Sequence, residues 1–140
     1  MRTCIDASVA AKWFNQEDFS EQAVELKDRQ VRGDVELVAP ALLAYEVGNS
    51  IRKNPQLTEG DARDAIISLA ALGVVLLPPE TGRVGRVMEI ARTRRMTFYD
   101  AAYLQAAEEC QALLITADEN QIKTAKGIAR AAHIRDLGPV

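Results

Sequence analysis

Four acidic residues in this chain stand where a carboxylate can do chemistry: Asp6, Glu46, Asp100 and Asp118. Asp6 closes the short run Arg2-Thr3-Cys4-Ile5, and Asp118 comes just after Leu113-Leu114-Ile115-Thr116. Glu46 lies within Leu42-Leu43-Ala44-Tyr45-Glu46-Val47, and Asp100 within Phe98-Tyr99-Asp100-Ala101-Ala102-Tyr103-Leu104. A carboxylate among core-like neighbours is costly to bury unless it is paired or bound to a cation. Carboxylates held close together also resist joint ionisation, and a divalent cation removes that conflict. Oxygen-only donors suit Mg²⁺ or Mn²⁺ rather than Zn²⁺. The single histidine, His133, and the two separated thiols, Cys4 and Cys110, leave no zinc set and no Ser-His-Asp arrangement. In phosphodiester hydrolysis such a cation acidifies a bound water and neutralises charge on the leaving oxygen.

Each acid also has a plainer role when taken alone. Asp is a favoured helix N-cap, so Asp6 and Asp118 could each simply start a helix. Glu46 fits the polar face of an ordinary helix. Asp100 is either a poor helix former in mid-helix or a helix-start residue after Thr97, and both readings stay open.

The elements that must position these residues alternate between apolar runs and helical stretches. The pattern predicts a first strand over 2–6, a helix over 20–32, and a strand over 35–39 stopped by Pro40. It predicts a helix over 41–53 ended by Pro55, and another opened by Thr58 and ended by Gly73. The wholly apolar Val74-Val75-Leu76-Leu77 reads as a buried strand closed by Pro78-Pro79. Helices over 81–93 and 98–110, a strand over 113–116, a helix from Asp118 and an edge strand over 132–134 complete the reading. Apolar strands separated by helices imply a parallel sheet covered on both faces. In such sheets ligands sit at the carboxyl ends of strands, which is where Asp6 and Asp118 fall.

A length of 140 residues fits a single domain over 1–140. No apolar run approaches the ~20 residues of a membrane helix, and Met1-Arg2 leads straight into a strand with no signal-peptide layout. Two unpaired thiols suit a reducing cytoplasm. The net charge of −3 argues against a general nucleic-acid binder, but five arginines (Arg83, Arg86, Arg92, Arg94 and Arg95) face one acid, Glu89, between 83 and 95. Such a run reads as a solvated helix face unless an acidic site lies nearby.

The chain resembles the PIN-domain family, in particular its VapC-type toxin ribonucleases. The resemblance rests on Ile5-Asp6-Ala7-Ser8-Val9-Ala10, on 39–49 (Ala-Pro-Ala-Leu-Leu-Ala-Tyr-Glu-Val-Gly-Asn), on 96–104 (Met-Thr-Phe-Tyr-Asp-Ala-Ala-Tyr-Leu) and on Leu114-Ile115-Thr116-Ala117-Asp118. It implies a three-layer α/β/α sandwich with a mostly parallel sheet and a Mg²⁺- or Mn²⁺-dependent endoribonuclease. The family's four acids fall on Asp6, Glu46, Asp100 and Asp118, with Ser8, Asn49 and Thr116 as hydrogen-bonding assistants. It further implies a homodimer, an RNA substrate and an antitoxin that inserts a C-terminal segment into the active-site groove. Arg94 and Arg95, close before Asp100, are candidates to hold RNA phosphates. A nuclease of RNA processing without an antitoxin, or a non-catalytic scaffold of the same fold, shares the pattern. A phosphoacceptor domain would need paired acids at the first strand and a late Lys, whereas Asp6 stands alone. An Asp-x-Asp phosphatase is excluded because position 8 is Ser.

Overall fold

The computed structural model describes residues 1–138. Its elements run β1 (Arg2–Ile5), α1 (Ala7–Ala10), α2 (Ser20–Arg32), β2 (Glu36–Pro40), α3 (Leu42–Arg52), α4 (Glu59–Ala71), β3 (Val75–Leu77), α5 (Thr81–Arg94), α6 (Phe98–Cys110), β4 (Leu113–Thr116), α7 (Glu119–Thr124) and β5 (Ala131–His133). The strands form one sheet in the order β3-β2-β1-β4-β5. Every pairing is parallel, with Cys4 opposite both Val38 and Leu114. Helices lie on both faces, giving the expected three-layer α/β sandwich.

The central strands show why. In β1 Thr3, Cys4 and Ile5 are buried in succession, and in β2 so are Leu37 to Pro40. Successive side chains point to opposite faces, so unbroken burial means that both faces are covered. α6 carries the densest packing surface, burying Ala101, Tyr103, Leu104, Ala106 and Ala107. Alanines let the helix approach the sheet closely, while Tyr103 and Leu104 fill the space between.

Three expectations need adjusting. The apolar pattern of Val74–Leu77 predicts a buried strand, but β3 is an edge strand in which Val75 and Leu76 are each 41% exposed. Apolar composition reports what a strand can bury, not whether it has a neighbour on both sides. Pro40 ends β2 from inside the strand rather than from beyond it. The edge strand β5 covers Ala131–His133, one residue earlier than its pattern indicated. Cys4 and Cys110 are free thiols, as expected. Among the described residues no helix is long and apolar enough to cross a membrane.

Leu114 is fully buried at the centre of the sheet, in β4. Leu114→Ala should lower unfolding stability by about 2–5 kcal/mol in urea titration, because lost burial and a residual cavity add.

Candidate active site

Asp6 is the first residue beyond β1, and its extended backbone (φ −101°, ψ 174°) turns the chain into α1. Its amide donates to the carbonyl of Ile115 in β4, 3.4 Å away. The carboxylate is only 5% exposed, and both of its oxygens are engaged. Oδ1 accepts from the Ser8 amide at 3.0 Å and from the Ser8 hydroxyl. Oδ2 accepts from the Thr116 hydroxyl.

The same two hydroxyls reach across to the end of β4. Ser8 Oγ accepts from the Ala117 amide at 2.9 Å, and Thr116 Oγ1 accepts from the Asp118 amide at 3.0 Å. Each hydroxyl has a single proton, directed at Asp6, and uses a lone pair for the strand beyond. Asp6 is thereby fixed to the backbone that carries Asp118. Burial pushes the Asp6 carboxyl above its ordinary range. The hydrogen bonds from Ser8 and Thr116 pull it back, and the charge of Asp118 pushes it up again.

Asp118 is exposed and caps α7, its Oδ1 accepting from the Asn120 amide at 2.8 Å. Helix capping and a place at the sheet edge are thus held by the same residue, and Asp6 combines them likewise at α1. Asp100 settles differently from its mid-helix reading. Thr97 is the cap of α6, its Oγ1 accepting from the Asp100 amide at 3.0 Å, so Asp100 sits in the first turn. A negative charge is favoured there by the helix dipole.

Glu46 enters from α3 as a half-buried carboxylate, and its Oε1 accepts from the Tyr103 hydroxyl at 2.6 Å. Tyr103 is 2% exposed. Burial pushes its phenol far up, the hydrogen bond to Glu46 adds to that, and the charges of Glu46 and Asp6 push the same way. Tyr103 also stands three residues after Asp100, a spacing that puts both on one face of α6. Gln121, buried at the start of α7, donates from Nε2 to the Asp100 carbonyl at 3.2 Å and ties α7 to α6. Sequence reasoning missed both residues. The signal for Tyr103 was there: a buried tyrosine hydroxyl needs a polar partner, and Glu46 was the acid lacking one.

Among the described residues no three His, Cys, Asp or Glu side chains stand at metal-holding distance from one another. The fold joins Asp6 to the backbone of Asp118 through Thr116 and Glu46 to Tyr103. It does not close the four into one shell. The donor chemistry fits a hard divalent cation even so. All four side chains offer oxygen, and the leading influences on the buried Asp6 include no cationic group. Asn49 is exposed and accepts from Arg52 Nε at 3.1 Å rather than touching an acid.

The arginines are mostly committed elsewhere. Arg83 pairs with Glu109 and Arg86 with Glu108, at 2.8 and 2.7 Å, bridging α5 to α6. Arg94 donates from Nη1 to the carbonyls of Thr124 at 3.0 Å and Lys126 at 2.5 Å, clamping the end of α7. Arg95 is exposed and closes α5 in a left-handed conformation (φ 54°). An apolar groove of about 410 Å³ is lined by Leu42, Tyr45, Leu77, Val87, Phe98 and Tyr99 among others, and none of the four acids lines it.

Residues 3–127 match the family described as PIN domain. The chain is 32% identical over 122 residues to "Ribonuclease VapC3" of Pyrobaculum aerophilum, covering 84% of this chain and 90% of that protein. It is 30% identical over 104 residues to "Exonuclease VapC9" of the same organism, covering 71% of this chain and 75% of that one. The crystal structure of PAE2754, also from Pyrobaculum aerophilum, superposes with a TM-score of 0.64 at 26% identity, covering 96% of this chain and 93% of that one.

The raised Asp6 carboxyl sets a direction for stability against pH. Between the unfolded value near 3.9 and the higher folded one, the native state holds more protons than the unfolded state. Stability from this group therefore falls as pH rises through that window. In metal-free buffer the stability of Asp6→Asn relative to the parent should decline as pH falls from 7 toward about 4, because only the parent gains by taking up a proton there. Urea unfolding in EDTA across that range reads it, and a relative stability that rises on acidification contradicts it.

Proposed function

The chain belongs to the PIN-domain family, and on that premise we propose that it is a Mg²⁺- or Mn²⁺-dependent endoribonuclease, the toxin of a type II toxin–antitoxin pair. The observation that carries this reading is the hydroxyl lacing that joins Asp6, at the end of β1, to the backbone of Asp118, at the end of β4. It puts acids of the family motif at the carboxyl edge of a parallel sheet, where α/β folds bind their ligands. The names of the two Pyrobaculum relatives point to nuclease chemistry as well.

Asp6, Glu46, Asp100 and Asp118 would hold the cation. When bound, it would make water more acidic and offset charge on the leaving oxygen of the phosphodiester. The chain's own residues organise the site around that chemistry. Ser8 and Thr116 fix both oxygens of Asp6, so its lone pairs face a set direction. Asp118 accepts from the Asn120 amide through one oxygen and keeps the other for a ligand or a water. Hydrolysis adds water to phosphorus and breaks the bond to the 3′ oxygen, leaving a 5′-phosphate and a 3′-hydroxyl. Of Arg94 and Arg95, close before Asp100, the exposed Arg95 is the better candidate to hold an RNA phosphate, since Arg94 donates to carbonyls at the end of α7.

A protein partner and a second copy of the chain belong to the same reading. Tyr45 and Tyr99, adjacent in sequence to Glu46 and Asp100, are 78% and 60% exposed, and with Phe98 they line the apolar groove. A surface of that kind supports a covering partner, the antitoxin among them.

The relative named as an exonuclease makes the mode of cutting a sharp question. Circular RNA has no ends, so its Mn²⁺-dependent cleavage by the purified protein is the expected result. Asp6→Asn should reduce that cleavage by at least about 100-fold while circular dichroism stays native. Cleavage of linear but not circular RNA would favour the exonuclease reading, and a wild-type rate for Asp6→Asn would end the site assignment. The two arginines should separate: Arg94→Ala lowers the melting temperature because it frees two carbonyls of the α7 end, whereas Arg95→Ala weakens RNA binding with stability unchanged.

A further inference from the structure

Tyr103 has no role in the proposed chemistry as it stands, yet its hydroxyl is the only polar atom of a large buried side chain on the face of α6 nearest the acids. The ring is buried in the core, to which Leu104 and Ala107 of α6 also belong. Its hydroxyl oxygen emerges at Glu46 Oε1, 2.6 Å away. Cys4, in the central strand, donates from its thiol to the Tyr103 carbonyl at 3.7 Å, which ties the same residue to β1. Asp100 stands one turn earlier on the same helix. Tyr103 is therefore a rigid post between the strand that ends in Asp6, the helix that carries Asp100 and the carboxylate of Glu46.

We propose that Tyr103 is a positioning residue of the acidic site: its buried hydroxyl fixes the Glu46 carboxylate so that one oxygen stays free to take a divalent cation. This rests on the reading of the acids as a cation site. Three features carry it beyond an ordinary core tyrosine. Glu46 leaves from a different helix, α3, and Tyr103 is its hydrogen-bond partner in the structure. A glutamate side chain has three rotatable bonds, so an unheld Glu46 would lose freedom on binding a cation, and the hydroxyl removes part of that cost beforehand. The bond also occupies Oε1 alone, leaving Oε2 unengaged among the described hydrogen bonds. A donor to a ligating carboxylate acts on metal affinity through orientation, not through contact with the metal.

The test is a double-mutant cycle on Mn²⁺ binding, read by the electron paramagnetic resonance of free Mn²⁺ with the full chain. Tyr103→Phe keeps the ring and its packing, and circular dichroism and thermal melting of the variant should stay close to the parent's. The expected result is an affinity for Mn²⁺ about tenfold lower in Y103F, with no further loss when Y103F is added to Glu46→Gln. RNA cleavage by Y103F should return to the parental rate at saturating Mn²⁺, a recovery that a general loosening of the core would not give. Parental affinity in Y103F, or an equal loss in the Glu46→Gln background, overturns the positioning role while the cation site stands. Absence of Mn²⁺ binding by the parent protein overturns both. Should Y103F melt far below the parent, Glu46→Asp with Tyr103 in place replaces it. Withdrawn by one methylene from the hydroxyl that holds it, that carboxylate should bind Mn²⁺ about tenfold more weakly than Glu46 does, and parental affinity counts against the proposal.

Discussion

The buried carboxylate of Asp6 is the constraint on which the rest of the site depends. Taking a carboxylate out of water costs several kcal/mol unless hydrogen bonds and a countercharge replace the lost solvent. Here the hydrogen bonds come from two hydroxyls and an amide, and no cationic side chain is among the leading influences. The arrangement demands that Ser8 lie two residues beyond Asp6 at the start of a helix, and that a hydroxyl end β4 directly opposite. Those demands fix the register of β1 against β4, with Ile5 opposite Ile115, and hence the place of Asp118. A one-residue slip would turn the Thr116 side chain to the other face of the sheet and leave Asp6 buried with half its partners. Stability and site geometry are set by the same few atoms.

How much of this was legible in the sequence depends on the kind of signal. The parallel sheet was legible because Thr3-Cys4-Ile5 and Leu113-Leu114-Ile115 are continuous apolar runs between helical stretches, and such runs have few other uses. The strand-end acids were legible for the same reason. The exposure of Val75 and Leu76 was not, because an edge strand and a central strand draw on the same residues. Asp100 was ambiguous because Thr97 and Asp100 are both good first-turn residues, and only the backbone decides which one caps. Tyr103 was hidden by the opposite problem. In a sequence it is one aromatic in an apolar helix, and its function lies in a single bond to a residue 57 positions away.

The arginine run shows how charge in a sequence misleads when its partners are distant. Arg83 and Arg86 look like free cations beside Glu89, yet each bridges to an acid on α6. Arg94 looks like a phosphate ligand, yet a guanidinium with fixed fork geometry is also well suited to collect orphan carbonyls at a helix end. It does so at the end of α7, where Gly127 (φ +82°) lets the backbone pass under it; a Cβ there would stand 3.3 Å from Arg94 Nη2. What remains of the basic patch is small, which agrees with the net charge of −3. An RNA substrate would then be held less by a basic surface than by the site itself, with correspondingly shallow dependence on salt.

The four acids are attached to the sheet with unequal rigidity. Asp6 is locked by two hydroxyls, Glu46 by one, Asp118 by a cap that uses a single oxygen, and the Asp100 side chain stands in a first turn whose backbone alone is tied down. Like charges without a countercharge gain by standing apart, and among the described residues no three acids gather at metal-holding distance. A cation held there, as proposed, would reverse the sign of that interaction, and the ordering would fall on side chains instead of on the fold. The graded tethering therefore lets a sheet edge carry a high density of negative charge in the absence of metal without the strands being pushed apart.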